Sequence, residues 1–132
     1  MFNAIDISTS GLIAQRIRMN TIAMNIANAD SVDSPDGGPY KRRSVIFSVG
    51  SQPNDPAETG VHVSAIEKQD VYRMKYDPKH PYADKDGYVK LPGIDPILEK
   101  VNEMEAARAY EANITAVEVS KAMLNSALRL LA

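Results

Sequence analysis

The chain has 132 residues and no cysteine. A disulfide framework, a thiolate zinc site and a thiol nucleophile are therefore excluded, and the chain is indifferent to the redox state of its compartment. No run of about 18 apolar residues occurs, so no membrane-spanning segment is predicted. The N-terminus, MFNAIDISTS, lacks a basic stretch followed by an apolar one, so no cleavable secretory signal is expected and export would need another route. Excess charge is missing too: seventeen acids against fifteen bases give a net −2, which disfavours nucleic acid as a partner. There is no phosphate-cradling glycine loop, no Ser-His-Asp set and no evident pair of carboxylates, and His62 and His80 are isolated structural or exposed residues. No catalytic residue, no metal site and no cofactor is assigned.

Proline and glycine are absent where helices are to be expected. All eight prolines lie between Pro35 and Pro96, and Gly11 is the only glycine outside Gly37–Gly93. The chain is thus tripartite. Residues 1–30 and 94–132 form a discontinuous helical domain, and 31–93 is a turn-rich insertion between them.

The C-terminal arm is read as one long amphipathic helix from about Ile94. Steps of three or four give Ile97, Val101, Met104, Ala107, Tyr110, Ile114, Val117, Lys121, Leu124, Leu128 and Leu131, apolar at every position but Lys121. From Tyr110 the steps alternate four and three, the spacing of a coiled-coil seam. The extra three-step through Met104, Ala107 and Tyr110 is a stammer, where a bend is expected. A helix of roughly 50 Å cannot bury such a stripe in one small core and needs partners. Lys121 either snorkels or marks a polar contact between subunits. Glu99, Glu103 and Glu105 early and Arg129 late suit the macrodipole.

In the N-terminal arm a helix is predicted over about 8–29, with Ser8 or Ser10 as N-cap. One heptad-compatible stripe holds Ile5, Leu12, Met19, Ile22 and Ile26, and a neighbouring one holds Ile13, Ile17, Met24 and Ala27. Together they span an arc on the order of 200°, wider than one neighbour covers. Gln15, Arg16 and Asn20 fall inside that arc, either snorkelling at its edge or fixing register through hydrogen bonds between helices or subunits. Gly11 implies close packing or a frayed start.

In the insertion, Ser34-Pro35-Asp36-Gly37-Gly38-Pro39 is turn chemistry. Asp30, Asp33 and Asp36 are turn and cap carboxylates, because their spacing does not fit a calcium loop. Lys41-Arg42-Arg43 reads as a solvated basic face, or one that meets an acidic surface on a partner. Val45/Phe47/Val49, Val61/Val63 and Tyr72/Met74/Tyr76 alternate as short strands. Ser51–Gly60 is a polar connection, and Asp77–Pro92 an extended proline-containing segment. Asn113-Ile114-Thr115 matches a glycosylation sequon by chance, being mid-helix.

The stretch TSGLIAQRIRMNTIAMNIANADS resembles the opening motif of the bacterial flagellar axial (rod and hook) family. PDGGPYKR, KHPYADKDGYVKLPGID and NEMEAARAYEAN then resemble, in order and over nearly the whole chain, the proximal-rod members of that family. The resemblance implies long terminal helices pairing as an antiparallel coiled coil, with the middle segment packing outward between subunits. It also implies export through the flagellar type III apparatus without a cleaved signal, and assembly in the periplasm into the basal-body rod. The partners implied are other copies, other proximal and distal rod proteins, and the membrane ring and export gate at the rod's base.

The fold class expected is mainly α with a small β part: two long terminal helices and a middle insertion of short strands or a hairpin plus an extended proline-rich loop. The residues assigned to helix packing and assembly are Leu12, Gln15, Arg16, Met19, Asn20, Ile22, Ile26, Val101, Met104, Tyr110, Ile114, Val117, Lys121, Leu124, Leu128 and Leu131. The function expected is a structural subunit of a polymer. The competing possibility is a discrete helical adaptor or chaperone that binds one partner helix.

Overall fold

The computed structural model describes residues 2–35, 37–50 and 59–131. Two helices, α1 (Phe2–Ala27) and α2 (Pro96–Leu131), flank four strands: β1 (Arg42–Val49), β2 (Val61–Gln69), β3 (Tyr72–Tyr76) and β4 (Tyr88–Pro92). The strands form two separate antiparallel hairpins, β1–β2 and β3–β4. Most of the expected Ser51–Gly60 connection lies outside the described residues, as does Asp36.

Helix α1 starts six residues before the predicted N-cap, so Ser8 and Ser10 sit inside it. Hydroxyls are tolerated there because they bond back to the preceding turn. Ser10 Oγ donates to the Ile7 carbonyl at 2.6 Å and Thr9 Oγ1 to that of Ile5 at 2.8 Å. The start of α2 follows simple chemistry. Asp95 Oδ1 accepts the Ile97 N–H at 2.9 Å as an N-cap, and Pro96, which has no N–H to satisfy, occupies the first helical position.

The two helices run antiparallel in a register fixed by three contacts: Asn25 with Glu99, Arg18 with Glu105, and Gly11 with Asn113. Paired positions sum to 123 or 124 throughout, which sets Phe2 opposite about residue 122. The last nine residues of α2 therefore run past the start of α1, by about 13 Å. At Gly11 the approach is close, since a Cβ there would lie 2.8 Å from Asn113 Nδ2. Gly11→Val is expected to force the helices apart and cost about 2 kcal/mol, read as a lower urea midpoint. In an Asn113→Ala background the space is free, and Gly11→Ala should stabilise by about 1 kcal/mol through helix propensity.

The β1–β2 hairpin lies along α1. Its open end meets the C-terminal part of the helix through Arg43 and Asn25, and its far end meets Ser10, whose hydroxyl accepts the Val61 N–H at 3.0 Å. Gly60 is needed there: its φ is +94°, and a Cβ would lie 2.6 Å from Ser10 Oγ. A bulge places Ser64 as an extra residue in β2 opposite Ile46/Phe47.

Strand β4 corrects the expectation of an extended loop over Asp77–Pro92. After the turn closed by Asp84, whose carboxylate accepts the Asp86 and Tyr88 N–H groups, the chain alternates: Tyr88 and Lys90 are exposed, Val89 and Leu91 buried. Pro92 fits because β4 pairs only with β3. Ala29, Tyr40 and Ile94 form a small core where the hairpins and helices meet.

Candidate assembly surfaces and the polar node between the helices

Among the described residues nine apolar side chains are buried, Pro92 included, whereas twenty-one large hydrophobic or tyrosine side chains stand exposed. So small an apolar core leaves more of the cohesion to a buried polar cluster. Asn25, fully buried, uses its whole hydrogen-bonding capacity. Its Nδ2 donates to the Arg43 carbonyl at 2.8 Å and to Glu99 Oε2 at 3.1 Å, while its Oδ1 accepts the Arg43 N–H at 2.9 Å and the Tyr40 hydroxyl at 3.2 Å. Glu99, 1% exposed, accepts Arg42 Nε at 2.8 Å and Nη2 at 2.6 Å on Oε1. Arg42 also donates to Gln69 Oε1 at 2.8 Å. Burial raises the Tyr40 phenol above its ordinary pKa; Arg43 opposes the rise and Glu99 adds to it. Tyr40 thus remains a hydrogen-bond donor at neutral pH.

This cluster corrects two expectations. The basic run at 41–43 is not simply a solvated face, because Arg42 is drawn inward by a buried carboxylate. Glu99 does more than complement the macrodipole: it turns toward α1. A second set of polar contacts ties the β3–β4 hairpin down. Arg73 pairs with Asp30 at 2.6 Å, and the Tyr82 hydroxyl donates to Asp33 at 3.1 Å, so two of the three turn aspartates bind neighbouring side chains. His62 Nδ1 lies 2.8 Å from the Gly50 carbonyl and His80 Nδ1 accepts the Tyr82 N–H at 3.1 Å, both local contacts.

The predicted assembly residues divide by position. On α1, Ile22 is buried, Leu12, Met19 and Ile26 are half-buried, and Arg16 and Asn20 are exposed. Gln15 is half-buried, and its Oε1 is buried with no hydrogen-bond partner. On α2, Tyr110, Val117 and Leu124 are half-buried, but Val101 (55% exposed), Met104 (52%), Ile114, Lys121, Leu128 (56%) and Leu131 (85%) lie at the surface. The structure does not bring that second group against α1. The reason is geometric. Three successive three-steps, Val101–Met104–Ala107–Tyr110, carry a line about half a turn around a helix of 3.6 residues per turn. The stripe read as one seam therefore faces outward in its first part; from Tyr110 on, Tyr110, Val117 and Leu124 are partly covered while Ile114 and Lys121 between them stay exposed, and Leu128 and Leu131 lie past the start of α1. The face that α2 turns to α1 carries the half-buried Tyr110 and Val117 among small and polar residues: Glu99, Asn102, Ala106, Asn113 and Ser120. Ala106 is fully buried.

Sequence reasoning missed Asn25, Tyr40, Arg42 and Glu99. The available signal was the small-and-polar line on α2, opposite the only glycine of the N-terminal arm. Among the described residues no helix is long and apolar enough to cross a membrane, and no group of three His, Asp or Glu side chains gathers as a metal site.

Residues 5–33 match the family model described as "Flagella basal body rod protein", and residues 85–130 match "Flagellar basal body rod FlgEFG protein C-terminal". The chain is 45% identical over 131 residues to "Flagellar basal-body rod protein FlgC" of Salmonella typhimurium, an alignment covering 98% of this chain and 97% of that protein. The chain belongs to the FlgC family of flagellar basal-body rod proteins. It is similarly 46% identical over 121 residues to FlgC of Aquifex aeolicus, covering 92% of this chain and 90% of that protein. FlgC of Borreliella burgdorferi is 40% identical over 150 residues, covering 99% and 97%. In this FlgC-family chain the polar node joins the two matched segments. Asn25 comes from the first and bonds to Tyr40 and Arg43, Glu99 comes from the second and pairs with Arg42, and these three partners lie in the stretch between the segments.

Proposed function

We propose that the chain is a structural subunit of the proximal part of the flagellar basal-body rod. It polymerises through its terminal helices into a tube that transmits torque and carries export cargo. The observation that carries this reading is the near full-length similarity to proteins named flagellar basal-body rod protein FlgC. The unpartnered apolar surface of α2 supports it physically. Ile97, Leu98, Val101 and Met104 near one end and Met123, Leu128, Leu130 and Leu131 near the other are exposed in the single chain, and contiguous apolar surface of this kind marks an interaction site.

In the assembled rod these surfaces meet other copies and other proximal and distal rod proteins, with the membrane ring and export gate at the base. Residues 1–30 and 94–132 act as one helical body whose pairing takes on coiled-coil packing, and 31–93 packs outward between subunits. The subunit reaches the periplasm through the type III export apparatus. Gln15, whose amide oxygen has no partner within the chain, contributes to register between subunits, and Lys121 makes a polar contact there.

The direct test is recovery of the chain in purified hook–basal bodies, on the side of the rod away from the hook. Leu128→Asp is the informative variant. Because Leu128 is 56% exposed, the isolated chain should keep its melting temperature, while incorporation into rods and swimming are lost as a charge enters a buried apolar contact. Normal swimming by that strain would contradict the assignment.

A further inference from the structure

From Val61 to Asp77 the chain holds neither proline nor glycine. Strands β2 and β3, both inside this run, are separated only by Asp70 and Val71. The Val71 carbonyl accepts the Gly93 N–H at 2.8 Å, so the β3–β4 ladder reaches back to it and Asp70 alone lies between the two ladders. A hairpin reversal takes about two residues. Strands β2 and β3 therefore cannot fold back on each other. They run on as one long strand, held by β1 over its first part and by β4 over its second.

The alternation of ladder bonds shows which edge of that strand is in use. Arg43 turns its N–H and carbonyl to Asn25, away from β2, so Arg43 and Lys68 form a non-hydrogen-bonded pair. The bonds to β1 then fall at Glu67 and Gln69. In the second hairpin the Gly93 N–H bonds to Val71 and the Asp77 N–H to Gly87, which puts Arg73 and Lys75 in the ladder between them. Both ladders thus use odd-numbered positions. Ile66, Tyr72, Met74 and Tyr76 direct their main-chain groups to the opposite edge, where they meet no partner among the described residues. Over 66–76 every residue but Gln69 and Tyr72 is exposed.

Other edges are blunted. Asn25 caps β1 at Arg43, and Ser10 caps the start of β2 at Val61. On β4 the Asp84 carboxylate accepts the Tyr88 N–H at 2.8 Å and the Asp84 N–H donates to the Tyr88 carbonyl at 2.8 Å. Pro92 has no N–H to offer. The edge over 66–76 is left as a template for a further strand.

We propose that this edge pairs antiparallel with the same edge of a second copy, about a two-fold axis through Val71. Self-pairing covers both open edges at once. Outward groups must meet outward groups, so a slip of one residue is excluded. With Val71 opposite Val71, Glu67 faces Lys75 of the second copy and Ile66 faces Tyr76 of the second copy. Neither Glu67 nor Lys75 has a partner in its own chain among the described residues. A slip of two residues one way sets Asp70 against Asp70, and the other way Glu67 against Asp77. Like charges directly opposite are unfavourable, so the register centred on Val71 is preferred. Such a pair closes on itself and does not propagate. It is a state of the free chain and does not depend on the rod reading.

The chain has no cysteine, so Val71→Cys reports the axis directly. In the pair the two 71 positions are non-hydrogen-bonded neighbours with Cα atoms about 4.5 Å apart, within disulfide reach. Air oxidation of the full chain should cross-link Val71→Cys roughly tenfold or more faster than Glu67→Cys, whose two copies stand roughly 27 Å apart. Sedimentation equilibrium of the unmodified chain at up to about 0.1 mM should show a dimer. Met74→Pro removes an N–H from the open edge and no ladder bond. It should keep the melting midpoint and weaken the dimer roughly tenfold or more. If the midpoint falls, the exchange of Glu67→Lys with Lys75→Glu replaces it. Each change alone should weaken the dimer, and both together should restore it to within about threefold. A monomer at every concentration would overturn the proposal, as would equal cross-linking rates, a folded Met74→Pro chain that dimerises normally, or a double variant as weak as the singles. Absence of the chain from basal bodies would count against the rod reading alone.

Discussion

Glu99→Ala is expected to destabilise the isolated chain by about 3–5 kcal/mol, the usual cost of removing one partner of a buried ion pair. The side chain removed is 1% exposed and satisfies Arg42 Nε, Arg42 Nη2 and Asn25 Nδ2 at once. What remains is a half-buried guanidinium whose one side-chain acceptor among the described residues is Gln69. Helical circular dichroism followed through thermal unfolding checks this. A fall of about 10 °C or more in the midpoint is expected for a chain of this size. Two further variants separate the charge from its burial. Glu99→Gln keeps acceptor capacity and should lose less, and Glu99→Met combined with Arg42→Met should recover most of the loss, since neither partner is then stranded. A single variant within 1 kcal/mol of the parent would show that the node is not what holds β1 to both helices.

Asn25→Ala should be of similar size, about 2–4 kcal/mol, for a different reason. No charge is lost, but the Tyr40 hydroxyl, the Arg43 N–H and the Arg43 carbonyl each lose a partner inside the protein. Each unmet buried group costs on the order of 1–3 kcal/mol, partly relieved where water reaches it. Asn25→Asp should be worse at neutral pH, because it sets a second carboxylate 3.1 Å from that of Glu99 in place of a donor. Amide exchange checks where the damage falls. Protection should drop in β1 and at the neighbouring ends of α1 and α2, while the β3–β4 ladder, tied by Arg73 to Asp30, is affected less.

Much of the architecture could be read from the residues. The breaker-free run after Pro96 gave α2, described over Pro96–Leu131. The alternations around Val45, Val61 and Tyr72 gave three of the four strands. Strand β4 escaped because its signal is only Val89 and Leu91, with a proline at its end. The start of α1 escaped because serine and threonine read as caps in sequence, yet back-bond to Ile5 and Ile7 inside a helix. Gly11 was read as a point of close packing or fraying, and Asn113 opposite it shows which.

By itself, the sequence determined both helices, three of the four strands and the family. Helix and strand follow from local periodicity and from where proline and glycine stand, and the order of the motifs matches the flagellar rod proteins over nearly the whole chain. The tertiary structure alone decided which face of each helix is inside. The apolar line on α2 turns half-way round its helix between Val101 and Tyr110, so hydrophobicity did not mark the first part of the contact with α1. That contact depends on close approach at small residues and on a hydrogen-bonded cluster drawn from positions 25, 40, 42, 43 and 99. Periodicity reports what lies on one element. Pairing a buried amide with a carboxylate 74 residues away is set by the relative placement of three elements, which no local pattern encodes.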